Sequence, residues 1–183
     1  VKPGDTILTQ GTGGVSLFAL QFAKMAGARV AITSSSAAKL ERARAMGADH
    51  GINYATEANW GQVAKDWAGG DGIDNVIELG GTETMKQSLI AVRPGGTLSL
   101  IGVLSGATTG NVLLPFIISR DVRLQGVTIG PQESMRDMCQ AIEVSGMKPV
   151  IDKVFPFEAS ADAFRHLQAA THFGKVCISI ADA

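Results

Sequence analysis

The stretch DTILTQGTGGVSLFALQFAKMAGA, Asp5 to Ala28, decides how the rest of the chain is read. Asp5 to Gln10 is a short run of β-branched and apolar residues suited to a buried strand. GTGGVS, Gly11 to Ser16, follows as a glycine turn. Val15, Phe18, Ala19, Phe22 and Ala26 then recur at helical spacing, which predicts a helix with that face inward. Strand, glycine turn and helix in this order are the context in which G-x-G-x-x-G points to a dinucleotide. Glycines let the backbone approach a pyrophosphate, and the helix's free N–H groups and positive dipole end meet its charge. Gly11 and Gly13 satisfy the pattern, and Ser16 takes the place of the third glycine. Ser is small enough for the helix to lie against the strand, and its hydroxyl is available to a phosphate oxygen.

Outward from that unit, strands and helices alternate. Arg29 to Thr33 reads as a second strand, followed by a helix to about Met46 with Leu40, Ala43 and Met46 inward. His50 to Tyr54 is a third strand. Asn59 is placed to cap a helix whose Trp60, Val63, Ala64 and Trp67 share a core face. Ile73 to Leu79 is a fourth strand. Thr82 is expected to cap a helix with Met85, Leu89 and Val92 buried, and the turn Pro94 to Gly96 delivers a fifth strand, Thr97 to Ile101. A short apolar helix around Pro115 to Ser119 precedes a sixth strand, Val122 to Ile129. Gln132 to Ser145 is helical, with Met135, Met138 and Ile142 inward and Gly146 as its stop. This order predicts an α/β fold, a Rossmann-type doubly wound parallel sheet. A β-α-β tail follows: Val150 to Phe157, Ser160 to about Ala170, and Lys175 to Ile180. The expected division is a dinucleotide-binding domain over 1–147 and a tail segment over 148–183.

The bulk numbers bound the function. A chain of 183 residues, 45% hydrophobic with 22 glycines, can bury a substantial core. Its net charge of −1 gives no sign of electrostatic attraction to nucleic acid or an anionic membrane, and neither partner is expected. No apolar run is long enough to span a bilayer and no signal peptide opens the sequence, so a cytoplasmic setting is expected. Cys139 and Cys177 stand outside any CxxC spacing and read as reduced structural cysteines. The chain opens on VKPGD without an initiator Met, as expected of a piece of a longer protein.

The end of the second strand speaks to which nucleotide. An Asp or Glu there accepts the ribose 2′-hydroxyl of NAD. Here Thr33, Ser34, Ser35 and Ser36 hold that place, and the nearest acid, Glu41, lies inside the next helix. Hydroxyls tolerate a 2′-phosphate where a carboxylate repels it. If Ser36 caps the helix, Lys39 falls in its first turn, where the dipole disfavours a cation unless an anion is its partner. These residues favour NADP and leave NAD open.

No catalytic constellation is legible. The only tyrosine, Tyr54, has Ala58 four residues on, so the Tyr-x-x-x-Lys acid/base pair is missing. His50, His166 and His172 are scattered without zinc-ligand spacing and read as surface or packing residues. Two other readings share the glycine turn. One is a nucleotide-binding module with no turnover, a sensor or structural protein. The other, an S-adenosylmethionine methyltransferase, wants an acid after the second strand, and Ser34 to Ser36 argue against it.

VKPGDTILTQGTGGVSLFALQFAKMAGA, SSSAAKLERARAMGADHGINY, VRPGGTLSLIGVLSG and HFGKV together resemble the medium-chain dehydrogenase/reductase superfamily, most of all its zinc-type alcohol dehydrogenase and quinone oxidoreductase branches. The resemblance runs from Val1 to Ile180. It implies an oxidoreductase that moves a hydride between NAD(P)H and an alcohol, aldehyde, ketone or quinone, a small-molecule substrate met by the full-length parent. It also implies a GroES-like catalytic domain ahead of VKPGD, which would carry any zinc ligands and take the packing of the tail strands. Position by position, Gly11, Gly13, Gly14 and Val15 would meet the pyrophosphate, and Ser34, Ser35 and Lys39 the 2′-phosphate. Gly80 and Gly81 would lie near ribose or adenine. Gly102, Val103 and Leu104, with the backbone from Thr128 to Gly130, would face the nicotinamide, and Lys175 would reach a cofactor phosphate. Family dimers pair their sixth strands, so a homodimer through the edge Val122 to Ile129 is expected.

Overall fold

Alternation of side chains along buried strands builds two cores, one on each face of a single sheet. The structure, a computed structural model, describes residues 1–108 and 114–180; the final residues of the expected tail segment, 181–183, lie outside them. Six strands, β1 (Thr6–Gln10), β2 (Arg29–Ser34), β3 (His50–Asn53), β4 (Ile73–Glu78), β5 (Val92–Leu100) and β6 (Arg123–Gly126), pair in the order β3-β2-β1-β4-β5-β6. Every pairing is parallel, as the alternating strands and helices predict. Ile7, Val30 and Ile32 face helices α1 (Gly14–Met25) and α2 (Ala37–Ala45), joined by Leu17, Leu20, Leu40 and Ala43. Leu8, Ala31, Val76 and Leu98 face α3 (Trp60–Trp67) and α4 (Met85–Ala91), joined by Trp60, Ala64 and Leu89.

Several local expectations are corrected. The buried face of α1 is Ser16, Leu17, Leu20 and Ala23, and Val15 is 48% exposed. Phe18 and Phe22 stack on each other with centroids 6.0 Å apart on the flank of the helix. Two overlapping 3–4 spacings run through this apolar helix, and the one next to the strand packs. Helix α4 starts after Thr84, not Thr82, and Val92 already belongs to β5. Pro94 to Gly96 lie within β5 as an irregularity, where pairing with β4 shifts register between Ile73 and Asn75. Asn59 precedes α3 without a side-chain cap. Strand β6 is shorter than expected and exposed at all four residues.

Helix α5 (Leu114–Ser119) leans on the core through Phe116 and Ile117. Helix α6 (Gln132–Ser145) ends at Gly146 as the sequence predicts, yet buries no residue; Met135 is exposed, against expectation. Met138 and Ile142, also expected inward, are only half-buried. The tail forms β7 (Ile151–Pro156), a 3-10 turn (Phe157–Ala159), α7 (Ser160–Gln168) and β8 (Lys175–Ser179). β7 and β8 pair parallel in a separate two-stranded sheet. Between them Phe173, 1% exposed, enters the core beside Leu17 and Leu20.

Candidate nucleotide-binding site

In a sheet of this order, the chain leaves β1 and β4 in opposite directions, and a crevice opens outside their carboxyl ends. That crevice is a cleft of about 570 Å³. Its floor is the turn from Gln10 to Ser16, and it is walled by Ser34 at the end of β2 and Ser35 after it, Leu79 after β4, and Ile101, Gly102 and Leu104 after β5. A second lobe of about 520 Å³ shares Gln10, Gly11, Tyr54, Leu79 and Leu104, and extends over Gly80, Thr84 and Gln87.

Gly11 has φ 74°, a left-handed conformation that favours glycine. No neighbour lies within 4 Å of the place a side chain would occupy at Gly11 or Gly13. The backbone there faces open space, as a cradle for a ligand requires. α1 starts at Gly14 with no side-chain cap and no acid in its first turn, so its leading N–H groups and dipole are available to an anion. Lys175 reaches the same turn: a Cβ added at Gly14 would lie 3.3 Å from its Nζ. The Ser16 hydroxyl already has an acceptor within the protein. It is buried and donates to the Gln10 carbonyl, which locks the turn onto β1 and corrects its expected phosphate role.

At the β2 end, Ser36 caps α2, accepting from the Lys39 N–H at 3.3 Å, as the spacing predicts. The Ser36 N–H donates to Ser34 Oγ at 3.2 Å. The ammonium of Lys39 donates to the Ala170 carbonyl at 3.0 Å. Ala170 holds φ 53°, a left-handed turn in a residue other than glycine, and lines the cleft with His172. Burial, then the charge of Lys39, pushes the His172 imidazole below its ordinary pKa.

The structure thus brings Gly11, Gly13, Gly14, Val15, Ser34, Ser35, Lys39, Gly102 and Leu104 to one cleft. Gly80 lines the adjoining lobe. Gly81 packs against Val103 and Gly106 beyond it, and Val103 points to solvent. Sequence reasoning missed Gln10, Tyr54, Leu79, Ile101, Ala170 and His172 as lining residues. Four of these sit at strand ends on the crevice side, a positional signal that could have found them. Ala170 and His172 arrive from the tail, for which no local signal exists.

The histidines elsewhere pack or pair. His50 stacks on Trp67 at 5.5 Å, and His166 Nε2 lies 2.8 Å from Asp152 Oδ2. Among the described residues no group of three or more His, Cys, Asp or Glu could hold a metal ion, so they do not fit zinc. No helix among them is long and apolar enough to cross a membrane.

Residues 14–144 match the sequence pattern of the zinc-binding dehydrogenases. The chain belongs to this family. A zinc-type alcohol dehydrogenase-like protein of Schizosaccharomyces pombe is 43% identical over 98% of the chain and 53% of its own length. The solved structure of an NAD-dependent alcohol dehydrogenase superposes with TM-score 0.90 at 32% identity, over 99% of this chain and 52% of that one. A mycobacterial relative complexed with NADPH superposes with TM-score 0.83 at 29% identity, over 97% and 57%. The chain therefore spans about half the length of these relatives. The resemblance to the nucleotide-binding half of the medium-chain dehydrogenase/reductases, and the Rossmann-type sheet, are borne out.

Proposed function

We propose that this chain is the dinucleotide-binding part of an oxidoreductase that moves a hydride between NAD(P)H and an alcohol, aldehyde, ketone or quinone, with NADP(H) favoured. The observation that carries it is the uncapped start of α1 opening into the same cleft as Ser34, Ser35 and Lys39. Gly11, Gly13, Gly14 and Val15 offer backbone to the pyrophosphate, with the Lys175 ammonium beside them. Ser34, Ser35 and Lys39 form a wall without a carboxylate, suited to a 2′-phosphate. When bound, the nicotinamide supplies the hydride chemistry; the residues here bind it, orient it and screen its phosphates. No catalytic proton donor or metal is assigned to this chain. Strand β6, exposed and paired on one side only, supports a homodimer through that edge.

Calorimetry with NADPH and NADH tests the reading. The expected result is tighter binding of NADPH, with Lys39→Ala costing about tenfold in NADPH affinity, the order of one charge-assisted hydrogen bond, and little for NADH. Equal affinity for the two, or a preference for NADH, refutes the NADP assignment. Absence of binding by either refutes the whole. Assaying the complete protein for NADPH oxidation with quinones and aldehydes separates an enzyme from a module without turnover.

A further inference from the structure

Glu78 closes β4 and is 1% exposed, yet all its hydrogen-bond donors are neutral. Its Oε1 accepts from the N–H groups of Gly80 and Gly81, both at 2.9 Å, and from the Thr84 hydroxyl. Its Oε2 accepts from Gln10 Nε2 at 2.8 Å and from the Ser88 hydroxyl. Gln10, itself buried, also donates from Nε2 to Ser88 Oγ at 2.7 Å. Gln10 Oε1 accepts from the N–H groups of Leu79 at 3.0 Å and Gly80 at 3.2 Å.

With Glu78 as a carboxylate, one orientation of the Gln10 amide satisfies every group. A carboxylate only accepts, whereas an amide has one accepting and one donating end. Glu78 therefore forces the amide of Gln10 to aim its NH₂ at the carboxylate and its oxygen at the turn after β4. Gln10 immediately precedes Gly11, so the pair ties together the two turns that face each other across the cleft. We propose that Gln10 and Glu78 are positioning residues that set the spacing of the β1–α1 and β4–α4 turns, and thereby dinucleotide affinity. This rests on the reading of the cleft as a dinucleotide site.

Glu78→Gln keeps the shape but supplies a donor where only acceptors stood. The new NH₂ faces either the NH₂ of Gln10 or the N–H groups of Gly80 and Gly81. Turning Gln10 over moves the conflict to Leu79. Exchanging the two, Gln10→Glu with Glu78→Gln, restores every pairing. The carboxylate at position 10 accepts from Leu79, Gly80, Ser88 and the new amide. The oxygen of that amide accepts from Gly80, Gly81 and Thr84.

The test measures NADPH and NADH dissociation constants on the 183-residue chain, at a temperature where circular dichroism shows each variant folded. Glu78→Gln is expected to weaken both about tenfold or more, the scale of one or two unsatisfied buried polar groups, and the exchange to recover to within about threefold. Should Glu78→Gln fail to fold, Gln10→Ala, which leaves Glu78 its other four donors, carries the same comparison. Wild-type affinity in Glu78→Gln with only the melting temperature lowered overturns the pair's positioning role. So does an exchange variant as weak as the single one. A wild-type chain that binds neither dinucleotide overturns the reading of the cleft, and the proposal with it.

Discussion

Two glycines of the cleft meet a neighbour at the same distance, and the nature of the neighbour sets opposite outcomes. A Cβ added at Gly102 would lie 2.5 Å from the Leu79 carbonyl oxygen and 3.1 Å from its Cα. Unstrained heavy-atom contacts lie at roughly 3.5 Å, so the overlap is about 1 Å. The Leu79 oxygen is backbone at the end of a strand held between β1 and β5, and it accepts the Leu104 N–H at 3.3 Å. It cannot swing aside. Gly102→Ala should cost about 1–3 kcal/mol, the range of overpacked sites. At about 2–4 °C per kcal/mol in a chain of this size, the melting temperature falls by about 2–12 °C. A Cβ added at Gly14 would also lie 2.5 Å from its nearest neighbour, but that atom is Lys175 Cδ in a flexible, exposed side chain. Lys175 rotates away, and the better helix propensity of Ala, up to about 1 kcal/mol, offsets the disturbance. Gly14→Ala should leave the melting temperature unchanged while NADPH affinity falls, because the ammonium has left the helix start. Differential scanning calorimetry and fluorescence titration read the two quantities separately. Equal falls in melting temperature, or an unchanged Gly102→Ala, refute the reasoning.

Other outcomes follow from charges and edges. Burial alone would raise the Asp74 carboxyl, but hydrogen bonds from Thr6 N at 2.7 Å, Thr6 Oγ1 at 2.8 Å and Arg93 Nε at 2.6 Å hold it below the ordinary carboxylate range. Its stabilisation is present above the unfolded carboxylate pKa and lost as pH falls through the lower folded value. Asp74→Asn should cost about 1–2 kcal/mol at pH 7 and flatten acid unfolding monitored by circular dichroism. His172 is shifted the other way with respect to charge: burial makes its imidazole harder to protonate in the fold than in the unfolded chain. The unfolded chain takes up a proton first, so stability falls with pH once the ordinary imidazole range is entered. His172→Gln should shrink the drop in melting temperature between about pH 7.5 and 5.5. At the sheet edge, Leu124 is 42% exposed, so Leu124→Lys should change stability by less than about 0.5 kcal/mol yet convert the proposed dimer to monomer in light scattering.

The parallel sheet was legible because each strand–turn–helix unit carries local punctuation. Glycine follows β1, Ser36 caps α2, Gly47 follows α2, and Gly146 follows α6. What failed was orientation. The helix after the glycine turn is apolar nearly all round, so periodicity admits two faces and only the sheet chooses between them. In α6 the apolar spacing implied burial that the described residues do not provide. The glycine and serine parts of the cleft could be read because they are contiguous in sequence. Glu78 could not, since a buried acid looks like any other until Gln10, Thr84 and Ser88 converge on it.

The tail is stitched to the opening loop. Gly174 N–H donates to the Thr12 carbonyl at 3.0 Å, and Lys39 reaches Ala170 across 131 residues of sequence. During synthesis, then, the ribosome delivers the glycine turn early but its last wall late. A nascent chain can assemble most of the sheet while its nucleotide pocket still lacks a side. Such closure between distant parts of the sequence is slow by nature, so the cleft is complete only once residues 170–174 have docked on residues 12 and 39.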